Sequence, residues 1–265
     1  MIRCWHAVFH FTFGYATSRQ TALPVGRSTG QNGTQIIMST PPAPPVNPLP
    51  PVVVALFLAI VGVEAAFVMG EQGLIGGRAA VGWRQMAIES YGFNGDIQRW
   101  MLSNGVFPVE HLMRYVTYPF VHGSIAHMAF AAVILLAMGK FVGEVFRQWA
   151  VLAVFVLSSV AGAAIYGLFT LEQPWLMGGY PGVYGLIGAF TYLLWLRLGE
   201  LGERQIRAFS LIGILMFIQL IFGLFFGANS MWIADVAGFC IGFVMSFFVA
   251  PGGWAKIRDR LRQRS

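Results

Sequence analysis

The chain contains little charge and almost no cysteine. Charged residues make up 11% of its 265 residues, and there are 2 cysteines. Ordinary soluble domains carry about 25% charged residues, so this composition argues against a soluble globular protein and excludes a disordered chain. Cys4 and Cys240 are too few and too far apart for a disulfide framework or a zinc site. Cys240 lies in an apolar run and is interpreted as a small core residue.

Apolar residues, by contrast, account for 57% of the chain, and the mean hydropathy is +0.66. Six hydrophobic stretches each come near the roughly 20 residues that cross the hydrocarbon core of a bilayer. They cover residues 51–70, 121–140, 148–170, 180–197, 208–227 and 231–250. This pattern predicts an all-α membrane protein with six transmembrane helices.

The segment between the first two stretches, residues 71–120, has an unusual composition for a linker. Aromatic and basic residues alternate in it, and glycine and proline break it into short pieces: Arg78, Trp83, Arg84, Gly92, Phe93, Gly95, Arg99, Trp100, Pro108 and Arg114. Tryptophan and arginine favour the interface between lipid and water. We therefore predict an amphipathic, structured outer loop that lies in the membrane interface.

Basic residues near the stretches predict the orientation of the chain. Ten of them would lie on one side: Lys140, Arg147, Arg197, Arg204, Arg207, Lys256, Arg258, Arg260, Arg262 and Arg264. The short loops on the other side, at about 171–179 and 228–230, contain no lysine or arginine. Because basic loops remain in the cytoplasm, both termini are expected there. The expected location is a bacterial inner (plasma) membrane.

These features predict that the chain has three parts. Residues 1–50 form an N-terminal leader that is expected to be disordered, residues 51–250 the membrane domain, and residues 251–265 a basic tail. Residues 1–37 lack a spanning stretch, and Met38 offers another start, so they are interpreted as an upstream mis-annotation. The net charge of +6 is concentrated in the tail, which predicts contact with anionic lipids rather than with nucleic acid.

Three segments carry polar and glycine motifs inside or beside the stretches. The second stretch follows Arg114 and contains His122 and His127. The fourth begins Gly-Gly-Tyr-Pro-Gly-Val-Tyr-Gly-Leu-Ile-Gly-Ala at residues 178–189, and the sixth reads Ala-Asp-Val-Ala-Gly-Phe-Cys-Ile-Gly at residues 234–242. In this order, with a long first outer loop, they resemble the rhomboid family of intramembrane serine proteases over residues 51–250. The resemblance implies a six-helix rhomboid-like bundle with a membrane-embedded first outer loop.

The resemblance is strongest in the scaffold and fails at the catalytic positions. His122 and His127 match the family's second-span pattern, but Ala131 stands where the family has the oxyanion-site asparagine. An ungapped alignment puts Tyr180 at the nucleophile position, and a slip of one residue puts Pro181 there. Asp235 replaces the family's catalytic histidine.

Other matching positions are implied to be structural. Arg114 corresponds to the family's outer-loop anchor. The glycines of the fourth and sixth stretches are spaced three or four residues apart, so small residues share one helical face and let the two backbones approach closely; they are Gly182, Gly185, Gly188, Gly238 and Gly242.

The family's mechanism needs a Ser/His dyad, in which histidine takes the serine proton. A phenol with an ordinary pKa of about 10 and a carboxylate near 4 do not replace that pair. The sequence therefore predicts a non-catalytic, cofactor-free protein that binds transmembrane segments of client proteins. The expected binding residues are His122, His127, Tyr180, Pro181 and Asp235. The alternative is a divergent active rhomboid protease with a relocated nucleophile.

Several weaker readings stay open. His122 and His127 lie about 140° apart on an ideal helix, which disfavours a shared metal ion, so no metal site is expected. Substitute nucleophiles would come from six serines without glycine context: Ser124, Ser158, Ser159, Ser210, Ser230 and Ser246. Glu64, inside the first stretch, is read as structural rather than functional. A small-solute carrier or a subunit of a larger complex is also possible, although the stretches show no internal repeat.

An ionised aspartate inside a span needs a partner, water or a proton. The resemblance places Asp235 near Tyr180 and His127, which offer an O–H and an N–H. We therefore predict a polar cluster of these three residues at the position of the family's active site.

Overall fold

The computed structural model describes residues 48–170, 175–226 and 230–250. Within these ranges the chain forms ten α-helices and one pair of two-residue strands. The helices are α1 Pro51–Glu71, α2 Trp83–Tyr91, α3 Gly95–Asn104, α4 Val109–Leu112, α5 Arg114–Thr117, α6 Ile125–Gly143, α7 Gln148–Phe169, α8 Tyr180–Glu200, α9 Ser210–Phe226 and α10 Trp232–Val249. The strands are β1 Phe93–Asn94 and β2 Trp175–Leu176. The predicted leader (to residue 47) and the basic tail lie outside the described residues.

Five of these helices, α1, α6, α7, α8 and α10, are long and apolar enough to cross a membrane. The remaining apolar helix, α9, has 17 residues and spans about 26 Å at 1.5 Å per residue. It begins later than predicted because residues Gln205–Phe209 form a 3₁₀ turn before it. The all-α, multi-pass membrane fold is confirmed, and the observed helices follow the predicted stretches within a few residues.

The outer surface of the bundle is apolar, as lipid requires. Large hydrophobic side chains on the spanning helices are exposed, among them Leu58, Phe130, Val133, Leu157 and Val244. The interior core is formed where α1, α6, α7 and α8 meet, around Ile60, Leu135, Phe155 and Leu186. Because lipid does not drive helices together by the hydrophobic effect, close packing must hold this bundle together.

Glycines bring α8 and α10 into backbone contact. A Cβ atom on Gly242 would overlap the carbonyl oxygen of Gly185, and one on Gly238 would overlap the carbonyl oxygen of Pro181. A Cβ on Gly188 would overlap the carbonyl oxygen of Phe239. Residues larger than glycine at these positions would push the two helices apart.

The outer loop between α1 and α6 is structured by hydrogen bonds to backbone carbonyls. Arg114 donates from Nη1 to the carbonyl oxygens of Glu89 (2.7 Å) and Gly92 (2.9 Å). Gln98 donates to the carbonyl oxygen of Ala164 in α7 at 2.9 Å. The strands β1 and β2 also pair antiparallel, with Phe93 opposite Leu176. The loop is therefore attached both to α7 and to the segment that leads into α8.

The orientation predicted from the basic residues can be tested with reporters at three places. Fusion after Ser265 and insertion at the Gly202 turn, between α8 and α9, should both report the cytoplasm. Insertion at Gly105, which has a φ of 65° at the end of α3 in the outer loop, should report the opposite side. Cysteines introduced at the same three positions and treated with a membrane-impermeant reagent give a second measurement of the same orientation. Reporters at Gly105 and Ser265 on the same side would contradict the predicted topology.

Candidate functional site

The first turn of α8 is held in place by two backbone N–H groups that precede it. Gly178 has a φ of +91°, a conformation that favours glycine, and its N–H donates to the carbonyl oxygen of Tyr118 at 3.1 Å. A Cβ on Gly178 would lie 2.8 Å from Cε1 of His127. The N–H of Gly179 donates to Nε2 of His122 at 3.2 Å. The segment before α8 is thus clamped against the segment before α6.

His122 lies in the short connection before α6 and is fully buried. Since its Nε2 accepts a hydrogen bond from Gly179, the proton of the neutral ring is on Nδ1. Burial and, to a smaller extent, the nearby His127 lower the pKa of His122 to about 4. His122 is therefore neutral at physiological pH and serves as an acceptor that positions α8.

This lowered pKa predicts a pH-dependent stability. Between the ordinary histidine pKa of 6.5 and about 4, the unfolded chain binds a proton at His122 that the folded chain does not. The contribution is complete above pH 6.5 and is lost as the pH falls, at about 1.4 kcal/mol per unit or about 3 kcal/mol in total. His122→Asn keeps an acceptor oxygen but does not titrate, so its thermal stability should fall less between pH 6.5 and pH 4.5. Parallel pH profiles for the two proteins would contradict the role of His122.

Arg84 of α2 connects the outer loop to both α1 and the His122 connection. Its guanidinium makes two 2.9 Å hydrogen bonds to the carboxylate of Glu64, which is 3% exposed. It also donates to Glu71 at 2.8 Å and to the carbonyl oxygen of His122 at 2.9 Å, and it lies over the ring of Phe67. The bidentate bond to Glu64 raises the pKa of Arg84 above its usual range. The buried Glu64 therefore has a half-buried cationic partner, as a structural role requires.

The rings of His127 and Tyr180 stack at the N-terminal ends of α6 and α8. Their ring centroids are 4.9 Å apart with an interplanar angle of 16°. The Tyr180 hydroxyl donates to the backbone carbonyl oxygen of His127 at 3.1 Å. Nδ1 of His127 accepts from the N–H of Gly123 at 3.4 Å, which leaves the ring proton on Nε2. The phenol is therefore not hydrogen-bonded to the imidazole as a nucleophile would be to its base.

Asp235 lies in the first turn of α10 and is 4% exposed. Within the described residues, its hydrogen bond comes from Nε2 of Gln219 in α9, at 2.9 Å from Oδ2. The same Gln219 nitrogen donates to the Tyr184 hydroxyl of α8 at 3.1 Å. The structure thus places Gln219 where the sequence led us to expect Tyr180 or His127, and the polar contact links α8, α9 and α10.

These groups surround one cavity of about 220 Å³. Its lining combines four polar residues with an apolar remainder: His127, Tyr180, Gln219, Asp235, Leu176, Met177, Pro181 and Met231. Four of the five predicted binding residues line this cavity. The fifth, His122, lies beside it and supports α8 through Gly179.

No described serine is among the residues that line the cavity. Ser124 caps α6 by accepting from the N–H of His127, and the hydroxyls of Ser159 and Ser246 donate to carbonyl oxygens of their own helices. Ala131 is buried within α6 and offers no side-chain donor. Within the described ranges, no group of three or more histidine, cysteine or acidic residues could hold a metal ion.

Gln219 and Arg84 were not singled out from the sequence, although both complete the site. Gln219 is a polar residue in an otherwise apolar stretch, the same signal that marked Asp235. The sequence marks Arg84 only as one basic residue of the outer loop, because a pairing between residues 64 and 84 depends on how the loop folds back over α1.

The bond between Asp235 and Gln219 predicts a ranking of two substitutions. Asp235→Asn keeps a carbonyl oxygen that accepts from Gln219, whereas Asp235→Leu leaves the Gln219 amide without that acceptor. An unmet buried donor costs about 1–3 kcal/mol, so Asp235→Leu should have the lower melting temperature of the two in detergent. A neutral or stabilising Asp235→Leu would show that the hydrogen bond does not hold α9 against α10.

The family model of the rhomboid domain matches residues 109–252. This match includes α6 to α10 and every residue that lines the cavity. No curated protein matches the chain.

Proposed function

Because the chain belongs to the rhomboid family, we propose that it uses the family's membrane scaffold to bind transmembrane segments of client proteins without cleaving them. The observation that carries this proposal is the pair of residues at the dyad positions. Tyr180 stands at the nucleophile position and its hydroxyl is bonded to a backbone carbonyl oxygen. Asp235 stands at the base position and is bonded to Gln219.

This arrangement does not place a general base where it could take the proton of a nucleophile, which peptide-bond cleavage through an acyl-enzyme requires. A general base must lie within hydrogen-bonding reach of the proton that it removes, and the Tyr180 proton points to the His127 carbonyl oxygen instead. The oxyanion site is weakened as well, since Ala131 has no donor and the loss of one donor typically costs about 10²–10³ in rate. These features favour binding over catalysis.

The protein is an integral, multi-pass membrane protein, so its partners are expected in the same bilayer. The proposal places it in a bacterial inner membrane with both termini in the cytoplasm, on the basis of the basic residues of its loops and tail. Contact of the basic tail with anionic lipids belongs to the same proposal.

Photo-crosslinking tests client binding. A crosslinking amino acid at Met177, which lines the cavity, should capture uncut membrane segments, identified as crosslinked peptides by mass spectrometry. The matched control is the same amino acid at Val133 of α6, which is 65% exposed on the outside of the bundle. Client peptides enriched at position 177 over position 133 support the proposal. Equal adducts at both positions, or adducts only with cleaved fragments, contradict it.

A further inference from the structure

The cavity beside α8 and α10 is rich in hydrogen-bond acceptors. The carboxylate of Asp235 lines it, and Oε1 of Gln219 is buried without a hydrogen-bond partner among the described residues. The Tyr180 hydroxyl already donates its hydrogen bond to the His127 carbonyl oxygen. A ligand that satisfies Asp235 and Gln219 Oε1 must therefore bring donors.

No ion pair among the described residues includes Asp235, so its carboxylate has no cationic partner in this part of the protein. Residues 171–174 and 227–229, which the structure does not describe, contain no lysine, arginine or histidine in the sequence. The carboxylate is in the first turn of α10, where the helix dipole favours a negative charge. A cationic group would therefore give Asp235 the charged partner that the described residues do not supply.

The size and lining of the cavity suit a long side chain. Its volume of about 220 Å³ lies below the roughly 300–1,000 Å³ of sites for drug-sized ligands. Leu176, Met177, Pro181 and Met231 line the rest of it, and such a surface can cover the methylene stem of lysine or arginine. A cationic head at the end of that stem would supply a donor to Gln219 Oε1 and a charged partner to Asp235.

We propose that this cavity receives a lysine or arginine side chain from the membrane segment of a client, with the cationic head bound between the Asp235 carboxylate and Gln219 Oε1. The inference rests on the proposed function and names the chemistry of the client. A basic residue inside a bilayer is costly unless it is paired, so clients with an unpaired basic residue near the outer end of a span would be favoured.

Binding of model peptides tests the inference. The full-length protein is placed in nanodiscs of uncharged lipid with labelled transmembrane peptides that are identical except for Lys, Gln, Met or Glu at one position near the outer end. Energy transfer between labels gives the affinity of each. The lysine peptide should bind at least about tenfold more tightly than the methionine peptide, which corresponds to about 1.4 kcal/mol, and the glutamate peptide should bind most weakly.

Two protein variants locate the preference. Asp235→Asn should reduce the ratio of lysine to methionine affinities to near one. Glu110→Gln removes an exposed negative charge of α4 on the outer side and should leave the ratio unchanged. A lysine preference that survives Asp235→Asn overturns the assignment to this cavity. Equal affinities of all four peptides for the unmodified protein overturn the inference but leave client binding intact, whereas the absence of binding by any peptide overturns both.

Discussion

Replacing Gly242 by alanine is expected to lower the free energy of unfolding by about 3 kcal/mol, near the upper end of the usual cost of overpacking. The added methyl group would overlap the carbonyl carbon, the carbonyl oxygen and the Cα of Gly185. These are backbone atoms, which cannot rotate away as a flexible side chain would. The helices α8 and α10 would therefore have to separate, which would also widen the cavity between Tyr180 and Asp235.

The matched control is Gly213→Ala in α9. A Cβ on Gly213 would have no atom within 4 Å, and alanine favours a helix over glycine by up to about 1 kcal/mol. The same substitution should therefore be neutral or stabilising at position 213 and strongly destabilising at position 242. Thermal unfolding in detergent measures both. Equal effects at the two positions would show that α8 and α10 are not in backbone contact.

Replacing Arg84 by methionine is expected to destabilise the fold by about 3–5 kcal/mol, the usual cost of leaving one partner of a buried ion pair uncompensated. The substitution removes both bonds to Glu64 and the bond to the His122 carbonyl oxygen. Because His122 supports the start of α8 through Gly179, the loss should reach the cavity as well as the outer loop.

Two further proteins test this account of Arg84. Arg78→Met removes an exposed charge from the same loop and should change the melting temperature little. The double variant Glu64→Leu with Arg84→Met removes the stranded carboxylate, so it should regain a large part of the lost stability. A single Arg84→Met protein that melts like the unmodified one would contradict the structural role of the ion pair.

The helices could be predicted from the sequence because hydropathy and length report directly on the bilayer. Each apolar stretch became a helix. The largest difference is at α6, which begins at Ile125 rather than at residue 121 because Ser124 caps it. The outer loop could be predicted to be structured from its aromatic and basic residues. Its internal helices and the β1–β2 pair depend on contacts with α7 and with residues before α8, which composition does not reveal.

The site could be predicted in its members but not in its hydrogen bonds. Polar residues in apolar stretches pointed to these segments, the resemblance to the rhomboid family marked Asp235, Tyr180 and His127 within them, and the structure brings all three around one cavity. The partner of Asp235 depends on how far α9 is shifted along α10, and only the folded bundle shows that Gln219 reaches it. Likewise, the sequence contains no sign that the Tyr180 hydroxyl turns toward a backbone carbonyl oxygen.

Labelling with a fluorophosphonate is the most direct test of whether the family's chemistry has been lost. The purified full-length protein is incubated with the probe and its intact mass is measured, next to a catalytically active rhomboid protease treated in the same way. Since the resemblance places Tyr180 and Asp235 at the dyad positions and no described serine is among the residues that line the cavity, we expect the active protease to gain the mass of the probe and this protein to remain unlabelled. Labelling that a single Ser→Ala change abolishes would contradict the account and identify the relocated nucleophile of an active protease.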